Sequence, residues 1–130
     1  ITHLDIRGKT VAYVDKVKFH NVLWNLIKNA YESFDDDDDE IEIKIYKENR
    51  YLIIEISDTG KGIADEHKTE LFKAGKTFGK NNGTGFGLAN AKKIVEAHGG
   101  TISFSSELGK GTSFLVKIPN DSWQSQKKVI

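Results

Sequence analysis

The chain has 130 residues, 38% of them hydrophobic and 12 of them Gly, which is enough for one domain with one core and too apolar for a disordered chain. Nineteen Lys and Arg balance nineteen Asp and Glu, so no whole-domain field gathers nucleic acid or anionic membrane, and any phosphate must be held by local geometry. The lack of Cys excludes disulfides, thiolate metal sites and a cysteine nucleophile.

No apolar run reaches the roughly 18 residues of a membrane span, and the opening ITHLDIRGK has no signal-peptide stretch, so a soluble piece is expected. The chain starts at Ile1 and holds no Met, which predicts a piece of a longer protein. Residues 1–15 read as two short strands around a turn at Arg7-Gly8-Lys9, with Leu4/Ile6 and Val11/Tyr13 as same-face pairs. From Lys16 to Phe34, Val22, Leu23, Leu26, Ile27, Ala30, Tyr31 and Phe34 keep helical spacing, and Asp15 is placed to cap the start. The six acids from Asp35 to Glu40 repel one another and suit a solvated connection.

IEIKIYKE (41–48) alternates as a half-buried strand does, and Glu48-Asn49-Arg50 turns it into YLIIEISD (51–58). Glycines then crowd the chain between Gly60 and Gly111, and residues 73–85 show neither period, which predicts a long mobile loop. Leu88, Ala91, Ile94, Val95 and Ala97 predict a second helix from Phe86 to His98, stopped by Gly99-Gly100. TISFSSE (101–107) and TSFLVKIP (112–119) form a second hairpin around residues 108–111, before a polar tail at 120–130. The pattern predicts a single α/β domain over residues 1–119, a two-layer sandwich whose mixed β-sheet is covered on one face by about three helices.

Candidate chemistry lies in four places. Asn21, Asn25 and Asn29 stand four apart on the first helix, as a polar stripe that caps neighbours or faces water, or whose Asn29 supplies a neutral oxygen to Mg²⁺. Asp58-Thr59-Gly60-Lys61-Gly62-Ile63 follows a strand and is either an ordinary turn or a carboxylate with two glycines that let a flat ligand approach. Gly83-Thr84-Gly85-Phe86-Gly87-Leu88 opens the second helix with exposed N–H groups suited to phosphate, without the ending of a P-loop or the strand that precedes a Rossmann turn. Gly109-Lys110-Gly111-Thr112 alone is a hairpin turn. The acidic run lacks the alternating ligand spacing of a calcium loop.

Taken together and in order, Asn25-Leu-Ile-Lys-Asn29-Ala, Asp58-Thr-Gly-Lys-Gly62, Leu71-Phe72 through Thr77, Gly83-Thr-Gly-Phe-Gly-Leu88 and Gly109-Lys-Gly-Thr112 resemble the N, G1, F, G2 and G3 boxes of sensor histidine kinase catalytic domains. The resemblance runs from about Lys16 to Pro119, and the segment from Ala91 to Gly100 resembles the family's helix after the G2 box. It implies a Bergerat-type fold shared with gyrase-like and Hsp90-like ATPases, with ATP between the helices under a lid at about 64–84. It further implies that Asp58 accepts from the adenine amine, Asn29 ligates Mg²⁺, Gly60, Gly62 and Ile63 line the base, and Thr112 closes the adenine side. Gly83, Thr84, Gly85, Phe86, Gly87 and Leu88 would surround the phosphates, with Lys76, Thr77 and Lys80 reaching the γ-phosphate from the lid.

Asn25 stands where ATP-hydrolysing relatives carry a glutamate, and a carboxamide cannot act as that general base, so transfer is favoured over hydrolysis. The family often has Lys or Arg and then an aromatic where this chain has Glu32 and Ser33, and an aromatic where it has Gly75. None of His3, His20, His67 and His98 has the context of a phosphoacceptor, so the acceptor is expected on a separate dimerisation domain, and the fragment is not expected to phosphorylate itself. The expected partners are that domain and then a response-regulator receiver, with no nucleic acid or membrane contact, for a monomeric, cytoplasmic domain whose parent is membrane-anchored or not. The rival readings are a nucleotide-sensing or docking module without transfer, and a serine kinase of the anti-sigma type or an ATPase of the same superfamily.

Overall fold

A computed structural model describes residues 3–6, 14–73 and 87–119. In chain order these form β1 (His3–Ile6), α1 (Lys16–Glu32), β2 (Ile41–Glu48), β3 (Tyr51–Asp58), α2 (Asp65–Lys68), α3 (Gly87–Ala97), β4 (Thr101–Glu107) and β5 (Gly111–Pro119). The strands make a five-stranded sheet in the order β1-β2-β3-β5-β4, with β1 parallel to β2 and the other neighbours antiparallel.

The period-two alternation of β2 and β3 sets their register. Ile43 pairs with Ile56 and Ile45 with Ile54, all pointing to one face, and Asn49 at φ 56° makes the turn between them. That face continues through Phe114, Val116 and Ile118 of β5 and Ile102 of β4. Phe19, Val22, Leu26 and Ala30 of α1 and Ala91, Ile94 and Val95 of α3 close over it, so both long helices cover the same side. Ile53, buried on the opposite face of β3, lies in register between Tyr46 and Lys117.

Each helix end has a local cause. The Asp15 side chain accepts from the Lys18 N–H at 3.0 Å and caps α1. The helix stops at Glu32, two residues before the expected Phe34, because the Ser33 and Phe34 N–H groups turn back to the Ala30 and Tyr31 carbonyls. The acidic run beyond it opposes the negative end of the helix dipole. At the end of α3, Gly99 is left-handed (φ 77°) and bonds to the Glu96 carbonyl while Gly100 bonds to that of Val95, the two bonds of a Schellman stop.

The structure adds to the sequence reading in two places. Residues 3–6 pair in parallel with β2, a pairing the sequence did not predict; the turn at Arg7-Gly8-Lys9 and the second strand with Val11 and Tyr13 lie outside the described residues. Residues 64–73, expected as lid, contain the one-turn α2, which is too short to show a period in the sequence. They belong to the packed body: Lys68 Nζ reaches Asp65 at 2.8 Å and the Ser106 carbonyl at 2.6 Å, Leu71 is buried, and the Phe72 ring meets those of Phe104 and Phe114 edge-on. The bond and charge of Lys68 hold the Asp65 carboxyl below the usual carboxylate range.

His98 is structural, as its sequence context predicts. It is 5% exposed, its Nε2 accepts from the Asp15 N–H at 2.9 Å, and its Nδ1 lies 2.8 Å from the Ile94 carbonyl. These partners assign the ring proton to Nδ1 and make the neutral imidazole a clasp between the start of α1 and the end of α3. His98→Ala is expected to cost about 2–3 kcal/mol in urea unfolding, since it strands the Asp15 donor. A change within scatter would show that the clasp carries no stability.

Candidate functional site

Asp58 ends β3 on the core-facing side of the sheet and is 7% exposed. Its carboxylate accepts from the Gly60 N–H at 2.9 Å, and the polar groups of Ser33 and Thr112 beside it favour its ionised form. Burial pushes its pKa up, those groups oppose that, and the negative charge of Asp39 adds to it. An ionised carboxylate has about four lone-pair sites, so the Asp58 carboxylate keeps room for a further donor.

The loop after Asp58 is stitched on both sides. Thr59 N–H bonds to the Glu40 carbonyl at 3.1 Å, and its hydroxyl accepts from the Glu40 N–H at 2.8 Å. Lys61 N–H bonds to the Ser33 carbonyl at 2.9 Å, and Gly109 N–H bonds to the Lys61 carbonyl at 2.7 Å. The Ser106 hydroxyl is a node, accepting from the Ile63 N–H at 2.9 Å and lying 2.8 Å from the Thr112 hydroxyl and 3.0 Å from the Gly111 carbonyl. The motif at 58–63 and the hairpin turn at 109–112, distant in sequence, therefore form one rigid end of the sheet.

The glycines of the first motif also pass close to other parts of the chain. A Cβ on Gly60 would collide with the side chain and backbone of Ser33, and one on Gly62 with the Glu107 carbonyl. Both positions are small so that chain can pass chain, and the clearance is used by the protein itself.

Across the helix pair, Asn21 is exposed while Asn25 and Asn29 are half-buried. An open groove of about 700 Å³ runs between α1 and α3, lined by Asn21, Asn25, Gly87, Ala89, Asn90, Lys92, Lys93 and Glu96. At its mouth the start of α3 abuts α1, since a Cβ on Gly87 would stand 3.2 Å from the Asn25 Oδ1. Asn29 lies one turn further along α1, toward Ser33 and the Asp58 end, and Leu88 packs on the core. Neutral amide oxygens on one helix face beside this groove suit Mg²⁺ shared with phosphates. Lys76, Thr77, Lys80, Gly83, Thr84, Gly85 and Phe86 lie outside the described residues.

Sequence reasoning missed Ser33, Ser106 and the α3 residues Asn90 and Lys93. The two serines had no signal beyond their positions at a helix end and in a strand, because their partners come from distant segments. The acidic run uses its side chains locally: Asp39 accepts from the Asp35 and Asp36 N–H groups, bonds that hold its carboxyl below the usual range. Among the described residues no group of His, Asp and Glu is placed to hold a metal ion.

The profile of the histidine kinase-, DNA gyrase B- and HSP90-like ATPases matches residues 14–122. The chain belongs to this family. For this ATPase domain the ligand class is therefore ATP. It is 44% identical over 117 residues to the sensor protein SrrB of Staphylococcus aureus, in strains NCTC 8325 and COL alike, an alignment covering 85% of this chain. The chain spans about a fifth of the length of those relatives (20%). Among solved structures, the catalytic domain of histidine kinase ThkA superposes with a TM-score of 0.79 at 26% identity, covering 92% of this chain and 79% of that one. The histidine kinase AdeS of Acinetobacter baumannii gives 0.72 at 31% identity, over 93% and 55%. The mycobacterial sensor histidine kinase MprB, at 19% identity and a TM-score of 0.80 over 91% and 82%, shares the fold. These likenesses bear out the mixed sheet covered on one face by helices. No helix among the described residues is long and apolar enough to cross a membrane.

Proposed function

We propose that this domain binds MgATP and delivers the γ-phosphoryl group to a histidine on a separate dimerisation domain, from which it passes to a response-regulator receiver. The observation that carries the reading is the buried Asp58 acceptor, whose loop packs on Ser33 at the end of α1, together with the groove that Asn25 of the same helix forms with Gly87 at the start of α3. Asp58 offers a lone pair to the adenine amine, Thr112 flanks it, and Gly60, Gly62 and Ile63 hold the carboxylate's loop in place. The phosphates extend toward the start of α3, where Gly87 keeps the backbone close to Asn25. Asn29 supplies a neutral oxygen to Mg²⁺, which when bound neutralises phosphate charge. Asn25, a carboxamide, orients without abstracting a proton, which favours transfer over hydrolysis. The acceptor imidazole forms the N–P bond as the bond to the ADP oxygen breaks, so the domain's contribution is positioning. A domain that depends on ATP works in the cytoplasm.

The test is calorimetric titration with ADP and a non-hydrolysable ATP analogue, with and without Mg²⁺, followed by addition of the parent's dimerisation domain. Saturable, Mg²⁺-strengthened binding and an acid-labile phosphoprotein are expected. An acid-stable product would favour a serine kinase, and binding without transfer a sensing module. Asn29→Ala should remove the Mg²⁺ dependence of affinity while changing unfolding by less than about 0.5 kcal/mol; an unchanged Mg²⁺ dependence would take Asn29 out of the metal site.

A further inference from the structure

The outward face of α1 carries an uncovered apolar seam. Val17, Trp24 and Tyr31 recur every second turn and are 73%, 58% and 68% exposed, on the side away from the core residues Phe19, Val22, Leu26 and Ala30. His20 and Ile27 fall between them, which gives the alternating three-and-four spacing of helices that pair along a stripe. Single exposed apolar side chains are ordinary, but three in register with an indole at the centre mark a contact surface. Charge is polarised along the same helix. Lys16 and Lys18 are exposed at its start, and the exposed Asp35 to Asp38 follow its end.

Trp24 is the midpoint of this 17-residue helix. Turning a second copy end for end about Trp24 lays Trp24 on Trp24 and Val17 on Tyr31, and it brings the lysines at each start against the acids beyond the other's end. A parallel pair would set like charges together at both ends. We propose that α1 is a self-association face, along which two copies of this chain pair antiparallel. The operation is a two-fold, so the contact closes as a dimer and does not grow into a filament. This departs from the monomer expected from the sequence, and nothing in it depends on the nucleotide reading above. A single helix of about 26 Å from each copy makes a contact at the small end of specific interfaces, so the dimer is weak and its affinity is concentrated in the central Trp24. The acids beyond the helix disfavour an anionic lipid surface as the occupant of this face. Asn21, beside the seam, lines the groove toward α3, so the paired face borders the candidate nucleotide site.

Sedimentation equilibrium of the whole chain from about 10 μM to about 1 mM reads this association, and a shift from monomer to dimer that weakens as salt rises is expected. Trp24→Ala, at an exposed position that the fold does not need, should raise the dissociation constant about 10-fold or more. Lys16→Glu/Lys18→Glu and Asp35→Lys/Asp38→Lys should each associate less than the unaltered chain, while their equimolar mixture should pair, because reversing opposite ends restores both charge contacts. A chain that stays monomeric throughout, a dimer indifferent to Trp24→Ala, or a mixture of the two charge-reversed variants that associates no better than either alone would overturn the proposal. An indole N–H resonance of Trp24 that is unmoved by concentration and shifts only when the parent's dimerisation domain or anionic vesicles are added would give the face to that occupant and overturn it equally.

Discussion

Asp58→Asn is expected to weaken ADP binding by roughly 10–100-fold, the worth of a hydrogen bond to a charged acceptor, while leaving the thermal midpoint unchanged or higher. The two effects separate because the carboxylate serves the ligand at the expense of the fold. Burial raises the Asp58 pKa above its ordinary value, so the folded state takes up the proton more readily than the unfolded one. The ionised carboxylate therefore opposes folding at neutral pH, and that opposition is relieved as pH falls through the raised folded pKa. The carboxamide of the variant keeps an oxygen for the Gly60 N–H and removes the buried charge, so the difference in stability between variant and parent should shrink on mild acidification. Affinity of the parent should fall over the same window, as the acceptor is protonated. Parallel titrations of ADP affinity and thermal midpoint against pH check both halves. Near-normal affinity in Asp58→Asn would remove Asp58 from the site, and a lowered midpoint that persists on acidification would show that the charge is satisfied by its donors.

Gly111→Ala should have the largest effect on stability, about 2–5 kcal/mol out of the roughly 5–15 kcal/mol typical of a domain. Gly111 begins β5 at φ 121°, a conformation that side chains rarely adopt, and a Cβ there would run into the Asp58 backbone carbonyl. Relief would require β5 to part from β3 at the Asp58–Thr112 pair, withdrawing Thr112 from the carboxylate and pulling the Ser106 node out of place. Urea unfolding should therefore show a much lower midpoint, and ADP binding should be lost even under conditions where the variant remains folded. An unfolding midpoint like the parent's would mean that the turn can re-form around the added methyl. Substituting Gly109, whose Cβ would meet nothing within 4 Å but whose φ is 82°, isolates backbone strain from collision and should cost less.

The elements written in short-range periodicity were legible without a structure. The β2–β3 hairpin appears with the bounds its alternation predicts, α1 starts at its Asp15 cap, and α3 stops at Gly99, because strand alternation, helix spacing and end signals are local properties of the chain. The order of the five motifs, taken with the resemblance it carries, was enough to state the family. What the tertiary structure alone decided is non-local. The parallel pairing of β1 with β2 has no local signature, since parallel strands meet only through a crossover. One-turn α2 has no period to read, and it holds its place through Lys68 bonding to the Ser106 carbonyl, 38 residues on. The glycines beside Asp58 suit an ordinary turn or the approach of a ligand, and only the fold shows that Ser33 and Glu107 also pack against them. The polar groups beside Asp58 come from the end of α1, from the loop after β3 and from β5, and only the closure of the sheet and helices gathers them, because hydrogen bonds and charges act between neighbours in space, whatever their separation along the chain.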